Sequence, residues 1–149
     1  MHQIKKFAPP KRRKKGDNHT GAFDVSKSLK YIGKPPCWYR SGLELRFFII
    51  CENSKDIAHW ESEPNIPIKY ELHGKIHTYW LDAIIINTKG VKTIVEIKPK
   101  YKTIEPSPYN MRKDVYLRAK AEYDKNMAKW QAAYSYAQKH NINFKIFSE

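Results

Sequence analysis

Two apolar runs carry a carboxylate in their interior: Tyr79 to Ile86 contains Asp82, and Thr93 to Ile97 contains Glu96, with Lys98 just beyond it. Short runs rich in β-branched residues read as strands, and Thr88-Lys89-Gly90 between them reads as a turn. Side chains two apart on a strand share a face. Glu96 and Lys98 are therefore expected side by side, and Asp82 on one face with Trp80, Ile84 and Ile86, opposite Tyr79, Leu81, Ala83 and Ile85. A core strand does not bury charges without a partner or a task. The feature imposes an antiparallel strand pair and brings both carboxylates to it.

The flanking pattern supplies the other elements. Ser41 reads as a helix N-cap with Glu44 three residues later, as in a capping box, and Leu43, Phe47, Phe48, Ile50 and Cys51 form an apolar face, so a helix is expected over about 42–53. Strand character begins at Ile57. Ile66 to Leu72 alternates, His73-Gly74-Lys75 is a tight turn, and Ile76 to Asn87 reads as one long strand antiparallel to it, with Val91 to Lys98 the third strand. Pro67 places the first of these at an edge or gives it a late start. Past Pro99 an irregular basic and aromatic loop is expected, then a helix over about 113–140 with Met127, Trp130, Tyr134 and Ala137 at helical steps, then a short strand over 144–147. The final strand, returning across a helix, pairs most easily parallel to its neighbour. The fold class is α/β (α+β): helix, three-strand meander, helix, strand, around a central mixed sheet.

Charge narrows the partner. The 149 residues hold 28 Lys and Arg against 15 Asp and Glu, a net charge of +13, which favours nucleic acid and then an anionic membrane surface. No apolar run approaches bilayer-spanning length, and the basic start has no apolar segment after it, so an unexported chain with no membrane partner is expected. Cys37 and Cys51 have no metal-ligand spacing and are expected reduced. Residues 1–37 divide from 38–149 as a basic, flexible arm and irregular connection before the main domain. Within the arm, Lys11, Arg12, Arg13, Lys14 and Lys15 are either a solvated tail or a phosphate-following segment that orders on DNA.

The carboxylates admit two readings. Asp82 and Glu96, with Glu44 from the helix, make an all-oxygen set of the kind that holds Mg²⁺ or Mn²⁺, and Lys98 can orient water or offset developing charge. Alternatively Asp82 is a strand-end residue, Glu96 and Lys98 a surface ion pair, and Glu44 only a capping-box residue. His59, His73 and His77 have no tight ligand spacing and are read as structural or surface residues.

The order and spacing of these motifs resemble the PD-(D/E)xK nuclease superfamily, in which an acidic helix precedes a meander bearing D…ExK, here Asp82, thirteen intervening residues, then Glu96-Ile97-Lys98. Tyr39-Arg40-Ser41-Gly42-Leu43-Glu44, the Gly74-Lys75 turn, Tyr79-Trp80-Leu81-Asp82 and Val95 to Lys100 look like the transposon-type endonuclease subunits, and still more like the head-completion nucleases of T-even-type tailed bacteriophages. Leu81 departs from the pattern, where many members have proline.

The resemblance covers about residues 38–149 and implies a restriction-endonuclease-like nuclease domain. It also implies that Glu44, Asp82 and Glu96 surround Mg²⁺, with Mn²⁺ able to substitute, that Lys98 assists the water, and that Gln131 lies on the helix from which some members present a polar accessory side chain. Lys100, Tyr101 and Lys102 are read as contacts to flanking phosphates or a base, or else as a solvated basic loop. The implied function is a metal-dependent DNA endonuclease of virion head completion, partnered by DNA and head or portal proteins, in the host cytoplasm during assembly or in the virion. The alternative is a non-catalytic DNA-binding head or neck protein that keeps the nuclease fold.

Overall fold

The computed structural model describes residues 20–149, so the basic arm from Lys11 to Lys15 lies outside the described residues. The chain order is β1 (Gly21–Phe23), β2 (Cys37–Tyr39), α1 (Gly42–Asn53), β3 (Ile57–Ser62), β4 (Pro67–Leu72), β5 (Lys75–Trp80), β6 (Ala83–Asn87), β7 (Lys92–Ile97), two short 3₁₀ turns, α2 (Lys113–Lys139) and β8 (Asn143–Phe147). The expected α+β class, with its central mixed sheet, is what forms. The sheet runs β3-β6-β7-β8, with β3, β6 and β7 antiparallel and β8 parallel to β7.

Alternation along β7 sorts the core into two layers. Val95 and Ile97 pack with Phe47, Phe48 and Cys51 of α1 and with Trp60, whereas Ile94 packs with Ala133 and Ala137 of α2 and with Ile68, Tyr70 and Tyr79 of the β4–β5 hairpin. Trp60 is fully buried, meets the rings of Tyr31 at 4.6 Å and Phe48 at 5.1 Å, and donates from Nε1 to Glu52 at 2.8 Å. The segment before α1, expected to be irregular, carries the β1–β2 ribbon, and its Phe23, Val25 and Tyr31 close the α1 side of the core. Cys37 and Cys51 are free and buried, and burial pushes their thiols up to about 11 and about 12.

The meander is built from different strands than the sequence pattern indicates. Its first strand is β3, and the expected long strand over 76–87 breaks at Leu81-Asp82: β5 pairs only with β4, while β6 joins the central sheet between β3 and β7. The chain changes sheets at the break, so the facing pattern shifts by one residue. Tyr79 and Leu81 belong to the α2-side layer together with Ile84 and Ile86, and Ala83 and Ile85 belong to the other. Uninterrupted alternation would have set Tyr79 and Leu81 with Ala83 and Ile85. The α2 stripe is also turned from the expected one. Asn126, Trp130, Ala133 and Ala137 are buried, whereas Met127 and Tyr134 face solvent, because the helix lies across both the sheet and the hairpin. On α1, Ile50 is likewise exposed.

The β4–β5 turn has φ 52° at His73 and 75° at Gly74, the two positive angles of a type I′ turn. A Cβ at Gly74 would meet nothing within 4 Å, so only the backbone conformation resists substitution. Gly74→Ala is expected to cost about 1 kcal/mol in urea unfolding, with no change in the midpoint slope.

Candidate active site

The break at Asp82 positions the first ligand candidate. Asp82 precedes β6 where the chain enters the central sheet, its carbonyl accepts from Glu63 N–H at 2.8 Å, and its Oδ2 accepts from Ile97 N–H at 2.7 Å. The carboxylate is thereby held against β7, where Glu96 faces the α2 layer and is nearly fully buried. Asp82 and Glu96 line one cavity. Burial and then the Glu96 charge raise the Asp82 pKa well above the usual carboxylate range. Glu96 Oε2 accepts from the Tyr79 hydroxyl, and burial together with Glu96 pushes that phenol up, keeping it a proton donor. Lys98 Nζ lies 3.8 Å from Glu96 Oε1, as the two-residue spacing predicts.

Glu44 lines the same polar cavity of about 360 Å³ together with Asp82, Glu96, Lys98 and Tyr79. Its capping role is also realised: its N–H donates to Ser41 Oγ at 3.1 Å, and its Oε2 accepts from Arg40 N–H at 2.7 Å. Among the described residues no three His, Cys, Asp or Glu converge as a complete ligand set. Asp82 and Glu96, with Glu44 on the same cavity, form an oxygen donor set whose mutual repulsion a hard cation relieves, and the residues fit a divalent ion.

The structure adds one residue that the sequence reading passed over. Lys129 of α2 lines the cavity, its Nζ stands 5.6 Å from the centre of the Tyr79 ring, and burial lowers its pKa, with Lys125 adding repulsion. Gln131, two residues on, is exposed and lies outside the cavity lining. The helical period carried the missing signal: Lys129 is four residues before Ala133 and three after Asn126, both buried, which places it at the margin of the packed stripe. Lys100 and Tyr101 are exposed on the 3₁₀ turn after β7, and Lys102 pairs with Glu122 at 3.2 Å. His59, His73 and His77 are exposed.

Residues 54–149, which include Asp82, Glu96, Lys98 and Lys129, match the family described as TnsA-like endonuclease N terminal. The chain belongs to this family. As a TnsA-like endonuclease domain it is also similar to the head completion nuclease of Enterobacteria phage T4. The identity is 33% over 137 residues, covering 88% of this chain and 91% of that protein. The TnsA-like match starts after α1, so Glu44 lies outside it, whereas the similarity to the phage protein extends over most of the chain.

Lys129 Nζ, facing the carboxylates across Tyr79, adds a second positive charge to the cavity. Lys129→Met is expected to lower the rate of DNA nicking about tenfold, with a larger loss at low ionic strength than at high, because salt screens the charge that is removed.

Proposed function

We propose that the chain is a divalent-metal-dependent DNA endonuclease that hydrolyses phosphodiesters, and that it acts on packaged DNA or its end during completion of a phage head. The observation that supports this most is the convergence of two carboxylates, Asp82 and Glu96, on one cavity, with a lysine 3.8 Å from the second. A structural role alone gives no reason to hold two carboxyl groups together against burial and repulsion. Similarity to the phage head completion nuclease supports the setting.

Asp82 and Glu96, with Glu44 alongside, would hold Mg²⁺, or Mn²⁺ in its place, which when bound supplies Lewis acidity to a phosphoryl oxygen and to water. Ile97 N–H fixes one oxygen of Asp82, and Tyr79 OH fixes one of Glu96, so both carboxylates are oriented before substrate arrives. The Lys98 ammonium lies where it can orient the attacking water and offset charge gathering on the phosphoryl oxygens. Lys129 holds positive charge on the opposite, α2 wall of the cavity. The net charge of +13 draws the polyanion to the surface.

Nicking of supercoiled plasmid is expected with Mg²⁺ or Mn²⁺ and none after chelation, with activity restored on adding back the ion. Plasmid left intact under all three conditions, together with salt-sensitive DNA binding, would instead support the non-catalytic head-protein reading. Cleavage that persists in chelator would overturn the metal assignment.

A further inference from the structure

A second cavity, of about 380 Å³, lies between the segment after β7 and the first half of α2. Its walls include Tyr101, Ile104 and Met111 from the connecting segment and Val115, Tyr123 and Asn126 from the helix. None of these groups takes part in the chemistry above. Asn126 is only 4% exposed, yet its Nδ2 has no hydrogen-bond partner. A buried amide N–H without an acceptor is costly, so the missing component of this cavity is an acceptor.

The walls offer flat and polarisable surface, and Tyr101 is 72% exposed beside them. Bases stack on such groups whatever their identity. The cations at the rim are already matched: Lys102 pairs with Glu122 at 3.2 Å and Lys120 with Glu105 at 2.8 Å. A paired rim around an apolar interior suits a neutral ring better than a phosphate. The location agrees. Asn126 stands three residues before Lys129, about 5 Å along the helix axis, and Tyr101 follows Lys98 by three residues, so this cavity adjoins the catalytic one on two chain segments.

We propose that this cavity receives one nucleobase of the strand being cut, next to the scissile phosphate, with the Asn126 amide donating to an acceptor on the ring. This rests on the nuclease reading above and adds a base-binding pocket to it. Each base carries such an acceptor, a carbonyl oxygen in thymine, cytosine and guanine and a ring nitrogen in adenine, so the pocket takes a base without choosing among them.

The test is binding without cleavage. In chelator, the full chain is titrated with oligothymidylate, oligoadenylate and an abasic strand of equal length. Oligothymidylate and oligoadenylate are each expected to bind roughly tenfold more tightly than the abasic strand, as for one stacked base. Asn126→Leu should weaken both while leaving them above the abasic strand, because stacking remains. Ala119→Trp, which fills the cavity from α2, should reduce both to the abasic level, with an unchanged Tm showing that the variant folds.

Equal affinity for thymidylate and the abasic strand, or a folded Ala119→Trp that keeps the preference for base-bearing strands, would overturn the proposal. Permanganate oxidation identifies the source of the base. A reactive thymine in bound duplex means that the base is drawn out of the helix, whereas unreactive duplex with the single-strand preference intact means that an already single strand is bound. A chain that shows the preference but never nicks DNA overturns the nuclease reading and leaves the cavity assignment standing, and one that nicks without any preference does the reverse.

Discussion

Asp82→Asn is expected to lower plasmid nicking by about 10²–10³-fold, the range seen when one group is removed from a preorganised electrostatic site, while raising the stability of the metal-free protein at neutral pH. Both effects come from one cause. Burial, the Glu96 carboxylate and, more weakly, Glu44 raise the Asp82 pKa, against the opposing Ile97 N–H. A folded-state pKa above the unfolded one means that the folded chain retains the proton to higher pH. The associated stability is fully present below the ordinary value of 3.8 and is lost as pH rises through the raised folded value.

Asparagine keeps the shape and the acceptor for Ile97 but carries no charge. Metal-free Asp82→Asn should therefore melt above wild type at pH 7, by about 2–4 °C for each kcal/mol of repulsion removed in a chain of this size. The gap should close as the pH approaches the unfolded carboxylate range. Saturating Mg²⁺ should raise the Tm of wild type and not of the variant. A variant that melts below wild type at pH 7 would show that the pair is compensated by the protein alone, and unchanged nicking would remove Asp82 from the chemistry. Such an exchange of stability for function is the usual cost of concentrating like charges at a site.

Lys98→Met carries the second large effect. Methionine keeps the aliphatic stem and deletes the ammonium 3.8 Å from Glu96. Nicking is expected to fall by about 10²-fold, with DNA affinity in chelator changed far less, because one cation among 28 Lys and Arg contributes little to phosphate attraction. Lys98→Arg should recover part of the DNA affinity and little of the rate, since a planar guanidinium does not reproduce a compact ammonium. Equal losses in affinity and rate would reassign Lys98 from the reaction to substrate binding.

What is legible in this sequence is what local signals decide. Helix α1 and the hairpin turn at His73-Gly74 rest on local signals, a capping box and a pair of residues that tolerate positive φ, and both form where those signals lie. The Glu96–Lys98 proximity follows from strand geometry within three residues. The break at Leu81-Asp82 has no local marker, because Tyr79 to Ile86 is apolar throughout except for the aspartate itself. It arises because β5 is paired only by β4, whereas β6 is paired on both edges in another sheet. Lys129 and not Gln131 lines the cavity for the same reason: the direction in which α2 presents a side chain depends on how the helix lies on the sheet, and the Asn126–Trp130–Ala133–Ala137 stripe is set by that packing.

The sequence by itself determined the α+β class, the parallel return of β8, and a carboxylate at or beside each of two neighbouring strands with a lysine beside the second. These follow from periodicity, turn chemistry and the two-residue repeat of a strand, all of which act within a few residues. Only the tertiary structure decided that Asp82 sits at a crossing between sheets, that its Oδ2 is held by Ile97 N–H, that Lys129 rather than Gln131 reaches the cavity, and that Asn126 is left without an acceptor. Those outcomes depend on which surfaces are buried against one another, and burial is a property of the packed chain that no short stretch of residues carries.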